Sequence, residues 1–94
     1  MDIQHDPDAN RFTVETEAGT AHLDTIRSPD LLTFTHTEVP VGAEGQGIAS
    51  ALARAGLEYA RAEGLRVLPI CPFVLSYIRR HPEWRAIVLP GFAV

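Results

Sequence analysis

The chain has 94 residues, 46% of them apolar, with a formal net charge of −4, which allows one small core over residues 1–94 and excludes a large two-layer enzyme. No apolar run is long enough to cross a bilayer, and no basic run stands out beyond the pair Arg79 and Arg80, so neither membrane nor nucleic acid is an expected partner. A polar, acidic start without the features of a secretion signal, and a single cysteine that cannot close an internal disulfide, point to a cytoplasmic domain.

Residues 1–9 read as a loosely docked lead. The stretch RFTVETEAGTAHLDTIRS then has the alternation of a hairpin: Phe12 and Val14 on one strand, a tight turn at Ala18 and Gly19, and Ala21, Leu23 and Ile26 answering on the second strand. After the turn SPD, the run LLTFTHTEV is the best strand in the chain, with Leu32 and Phe34 alternating with threonines. Continuing that parity puts His36 and Glu38 on the face of Leu32 and Phe34. Pro40 ends the pairing and VGAEGQG forms a loop.

From Gln46 to Glu63 the apolar period is helical, with Ile48, Leu52, Ala55 and Tyr59 on one stripe. Gly64 suits a left-handed C-terminal cap, and Leu65 suits the apolar contact that accompanies it. RVLPI reads as a buried strand in which Pro69 requires an edge, bulge or gap. Pro72 opens a second helix over CPFVLSYIRRH, Pro82 starts a last short turn, and the tail with Phe92 is expected to pack. The expected fold class is therefore α/β with a mixed sheet: three antiparallel strands, a loop, a helix, a parallel fourth strand reached by a right-handed crossover, and a helix.

The loop deserves a ligand on physical grounds. Unpaired N–H groups and the helix dipole at the start of the long helix attract an anion, and Gly45 and Gly47 let a phosphate approach the main chain. A plain tight turn into a helix is the competing reading. A P-loop is excluded because Ile48 stands where its lysine belongs, and a dinucleotide fingerprint because Ser50 replaces its third glycine.

The strand FTHTEVP, the loop and helix start GQGIASAL, and YARAEGLRVLPICPFVLSYIRRHPEW together resemble the short, single-domain branch of the GNAT superfamily of N-acetyltransferases, over roughly residues 11 to 88. That superfamily's loop reads Gln or Arg, two residues, Gly, one residue, Gly or Ala. Gly45 and Gly47 match it, while Gly42 departs at the first position and Glu44 stands where the branch commonly has a basic residue. The resemblance implies a fold reduced to the coenzyme-binding half and acetyl coenzyme A as cofactor, held around Val39, Val41, Glu44, Gly45, Gln46, Gly47, Ile48 and Ala49. It implies an unidentified amine acceptor, and a monomer or homodimer; no metal ligands are assigned.

Acetyl transfer needs proton removal from the nucleophile and a proton for the departing thiolate. The resemblance implies Glu38 as general base, beside the reading of an exposed strand-end carboxylate, and His36, whose reference pKa lies near neutrality, is either a substitute base or a hydrogen-bonded structural histidine. Cys71 precedes Pro72 at a helix cap, where the N-terminus favours a thiolate. In the superfamily the pantetheine arm passes there, so an acetyl-cysteine or thiol contact stands beside the reading of a small buried hydrophobe. Tyr77 is the implied acid for the leaving thiolate. Arg80, with Arg79, either meets coenzyme phosphates or complements the end of its helix. A catalytically silent acyl coenzyme A sensor or protein-interaction module is the alternative function.

Overall fold

The computed structural model describes residues 1–94 and contains one five-stranded sheet in the order β1-β2-β3-β4-β5. The strands β1 (Gln4–Asp6), β2 (Arg11–Thr16), β3 (Gly19–Arg27) and β4 (Leu31–Glu38) pair antiparallel in sequence, and β5 (Arg66–Pro69) joins β4 in parallel. Helices α1 (Ile48–Ala62) and α2 (Pro72–Arg80) complete the expected mixed α/β architecture. Their buried residues and those of the sheet form a single core cluster.

The first departure from expectation is at the start of the chain. Residues 4–6 are not a loose lead but an edge strand on β2. The His5 ring explains it: it stacks on Phe12 with centroids 4.0 Å apart and meets the edge of Tyr59 at 4.4 Å, so docking covers aromatic surface. Burial holds the His5 pKa below the ordinary value of 6.5; Asp6 opposes that shift and Arg27 adds to it. The folded state thus favours neutral imidazole, so His5 supports folding above pH 6.5 and loses that contribution as pH falls from there through the lower folded value. We expect β1 amides to lose hydrogen-exchange protection between pH 7.5 and 5.5, after correction for intrinsic rates, and His5→Phe to remove that dependence. Equal protection at both values would mean that His5 does not gate the strand.

In the hairpin, Phe12, Val14, Ala21 and Leu23 are buried as the alternation predicts. Ile26 is not, because β3 keeps its parity and buries Thr25 instead, leaving Ile26 exposed. The next strand does break parity. Asp24 pairs with His36 while Thr25 pairs with Phe34, so Thr35 is an extra residue, a β-bulge with its hydroxyl on the Asp24 carbonyl at 3.2 Å. Beyond it the side chains change faces. Thr37, opposite Leu23, takes the core side, and His36 and Glu38 emerge on the sheet face that bears no helix, opposite to Leu32 and Phe34.

Helix α1 buries Ile48, Leu52, Ala53, Gly56, Leu57 and Ala60, so its core stripe is rotated from the expected one and Tyr59 lies on its flank. Gly56 lets the helix sit close to the sheet: a Cβ there would be 2.6 Å from Phe34 Cε1. Past the helix, Leu65 donates to the Ala60 carbonyl at 2.9 Å and is buried, as the cap reading requires. Strand β5 is covered on its outer side by the tail, where Leu89 donates to the Val67 carbonyl at 2.9 Å. No helix is long and apolar enough to cross a membrane.

Candidate functional site

Three regions carry the predicted residues. The first is the loop. Pro40 leads into a 3₁₀ turn at Val41–Ala43, and buried Ala43 and Ile48 anchor the segment at both ends. Between them Gly45 has φ 81° and Gly47 φ 76°, a left-handed conformation that a side chain would strain. Gly47 is the N-cap of α1 and offers no side chain to it. As a result the backbone N–H groups from Gly45 through Ser50 have no acceptor within the chain. Those of Gly45 and of Gly47 through Ser50 border a groove of about 210 Å³ lined also by Val39, Ala43, Glu44 and Phe73.

Two members of the expected set lie elsewhere. Val41 is 84% exposed and is absent from the groove wall, and Gln46 faces a separate cavity beside Glu15 and Glu17. Ser50 and Phe73 were missed, although Ser50 at the third helical position was legible as a bearer of a free N–H. Glu44 does line the groove, so its carboxylate opposes any anion held there.

The second region is a gap in the sheet. Pairing of β4 with β5 ends at Phe34 and Pro69, because Pro69 has no N–H and Ile70 turns back to the Leu68 carbonyl at 3.1 Å. Strand β4 continues to Glu38, so Thr35–Glu38 has no β5 partner. Cys71 closes the narrow end of this opening: its N–H donates to the Phe34 carbonyl at 2.8 Å, and its Sγ is 3.2 Å from Thr37 Oγ1. It is the N-cap of α2, as expected, but makes no side-chain cap bond and is only 2% exposed.

The third region is the helix-free face. His22 and Asp24 on β3 lie opposite Glu38 and His36 on β4, so two His-x-acid pairs meet head to tail. His22 Nδ1 is 3.1 Å from Asp24 Oδ1 and its Nε2 is 3.2 Å from Glu38 Oε2. Arg11 Nε donates to Asp24 at 2.9 Å, and His36 Nε2 is 3.6 Å from Glu38 Oε2. A neutral imidazole has one N–H, so His22 satisfies both carboxylates at once only when it carries two protons. His22 and Asp24 were not anticipated, yet HLD and HTE on neighbouring strands were a visible signal.

The bulge therefore separates the candidates: Glu38 and His36 belong to the open face, Cys71 to the core side. Tyr77, on α2, lines neither place. It is buried, stacks on His81 at 4.1 Å, and lines a cleft between α1 and α2 together with Arg80. No cluster of His, Cys and carboxylate side chains is arranged to hold a metal ion.

Comparison with known proteins bears on the family and the fold. The profile of the GCN5-related N-acetyl-transferase family matches residues 11–87. Protein NATD1 from Gallus gallus is 28% identical over 85 residues, covering 87% of this chain and 77% of that protein. Protein NATD1 from Homo sapiens is 29% identical over 83 residues, covering 85% and 74% respectively. A solution NMR structure of a GCN5-like protein from Staphylococcus aureus superposes with a TM-score of 0.67 at 21% identity, covering 98% of this chain and 90% of that one, a likeness of fold.

Proposed function

This chain belongs to the GCN5-related N-acetyltransferase family, and on that premise we propose that it binds acetyl coenzyme A and transfers the acetyl group to an amine. The observation that carries the reading is the set of unpaired N–H groups of Gly45 and of Gly47 through Ser50 bordering the groove. Such a row at a helix start suits a pyrophosphate. The edge of β4 at Thr35–Glu38, which lacks a strand partner, suits the two amides of a pantetheine arm, as an added strand would.

In this reading the thioester reaches the opening between β4 and β5 and the amine comes from the helix-free face. Glu38 takes a proton from the attacking nitrogen, a C–N bond forms at the acetyl carbon, and the C–S bond breaks. An ammonium acceptor gives up two protons in all: one leaves through Glu38 to solvent and the other goes to the coenzyme thiolate. His22 holds the Glu38 carboxylate in place, and Cys71 with Thr37 borders the thioester from the core side. A silent acyl coenzyme A sensor is the second reading, favoured by Glu44 in the groove wall and by the burial of Cys71.

Calorimetric titration with acetyl coenzyme A, compared with adenosine diphosphate and adenosine, tests the assignment. Binding that requires the pyrophosphate is expected, and release of free thiol on adding amines separates transferase from sensor. Gly47→Trp should abolish binding at millimolar ligand, because it fills the approach to the N–H row, at a stability cost of about 1–2 kcal/mol for the left-handed position. A folded Gly47→Trp protein with undiminished affinity would remove the pyrophosphate from this loop.

A further inference from the structure

The helix-free face holds two charged residues without a role so far, Arg11 and Asp24, and together they decide where a proton can sit beside Glu38. Arg11 on β2 lies opposite Asp24 on β3, and His22 on β3 lies opposite Glu38 on β4, so four side chains form a continuous line across three strands. One oxygen, Asp24 Oδ1, accepts from Arg11 Nε at 2.9 Å and lies 3.1 Å from His22 Nδ1. A guanidinium only donates and a carboxylate only accepts, so in a neutral His22 ring the proton belongs on Nδ1. Nε2 is then an acceptor, and it stands 3.2 Å from Glu38 Oε2, a second acceptor. Two lone pairs thus face each other at hydrogen-bond distance.

One added proton resolves that contact. Placed between Oε2 and Nε2, it converts two opposed acceptors into a charge-assisted hydrogen bond and leaves an imidazolium held by a carboxylate at each nitrogen. His36 does not relieve the contact, because its Nε2 is 3.6 Å from the same Glu38 oxygen, longer than a hydrogen bond. Exposure sets the direction of entry: the Glu38 side chain is 65% exposed, whereas those of Asp24 and His22 are 27% and 15% exposed. A proton from an acceptor therefore reaches Glu38 first. The frame behind it is fixed, since the Thr35 hydroxyl at the bulge donates to the Asp24 carbonyl and ties β4 to β3.

We infer that Asp24, pinned by Arg11, is a positioning residue that fixes the Nδ1–H form of His22, so that the proton Glu38 takes from the attacking amine comes to rest on His22 Nε2. This rests on the acetyl-transfer reading with Glu38 as base. Of the two protons an ammonium acceptor gives up, this one stays between Oε2 and Nε2 while the C–N bond forms and the C–S bond breaks, then returns to solvent through Glu38; the other goes to the coenzyme thiolate. The test compares the full-length wild type, Asp24→Ala and Asp24→Asn, with folding checked by circular dichroism. NMR of the imidazole nitrogens in mildly alkaline buffer, with the His22 signals identified by their loss in His22→Gln, should show the proton on Nδ1 in the wild type. Asp24→Asn should keep that form, because its side-chain oxygen can still accept from both Arg11 and His22, and Asp24→Ala should give a mixture. Turnover by thiol release should fall about tenfold in Asp24→Ala, less than for loss of the base itself, with acetyl coenzyme A affinity unchanged, and Asp24→Asn should recover most of it. A wild-type ring protonated on Nε2, or on both nitrogens, overturns the inference. So does full turnover in Asp24→Ala, or an Asp24→Asn protein as slow as Asp24→Ala; either result leaves the transferase reading intact. If the wild type releases no thiol with any amine, the transferase reading itself fails and the relay falls with it.

Discussion

Glu38→Gln should lower the turnover number for acetyl transfer by about 10²–10⁴-fold while leaving acetyl coenzyme A affinity nearly unchanged. Gln keeps the shape of the side chain and its contact with His22 but cannot accept a proton. Glu38 is suited to the role by placement: its side chain is 65% exposed on the face open to an acceptor, at the end of β4 beside the loop. Its neighbours give the prediction a second part. If Glu38 is the base, removing His22, whose Nε2 is 3.2 Å from the Glu38 carboxylate, should cost less than removing Glu38, and His22→Gln should recover part of what His22→Ala loses. His36, 3.6 Å from the same carboxylate, is the group able to take over, so Glu38→Gln with His36→Gln should abolish any remaining activity. Thiol release with saturating coenzyme and a panel of amines measures all of these. Unchanged turnover in Glu38→Gln would place the base elsewhere.

Phe34→Ala should destabilise the domain by about 3–5 kcal/mol, a large share of the roughly 5–15 kcal/mol typical of small proteins. Phe34 is fully buried at the centre of β4, and its ring occupies the space left by the missing side chain of Gly56. The pair makes a sign test. Gly56→Ala gains up to about 1 kcal/mol of helix propensity, but its Cβ would stand 2.6 Å from Cε1 of a ring with no room to retreat. Overpacking of that kind costs about 1–3 kcal/mol, so the single substitution should destabilise. In a Phe34→Leu background the same change should be close to neutral or favourable, and urea denaturation of the four proteins gives the coupling directly. Additive effects would show that α1 can shift away from the sheet and that Gly56 is not needed for close approach.

Much of the fold was legible because the signals were local. Period-two alternation marked β2, the start of β3 and the first half of β4; a helical period bounded by glycines marked α1; and Pro72 marked the start of α2. The loop was readable for the same reason, since Gly45 and Gly47 have to be glycine for the backbone they adopt, whatever binds there. Ile26 shows the limit of reading by hydrophobicity alone: parity buried Thr25 and exposed the larger side chain.

The candidate chemistry was less legible, because it depends on contacts between residues far apart in the chain. One bulge at Thr35 turned His36 and Glu38 away from the core and brought Thr37 to Cys71, and no pattern within β4 announces it, since the bulge exists only in the register against β3. His5 docks a segment that looks polar and loose because Phe12 and Tyr59 offer it an aromatic surface. Arg54 and Arg80, 26 positions apart in the chain, share a cleft only once the crossover has laid α2 beside α1. Backbone preferences and periodicity act over a few residues and so are written locally. The side on which a carboxylate emerges, the burial of a thiol and the meeting of two cations are consequences of register and packing, which exist only in the assembled sheet.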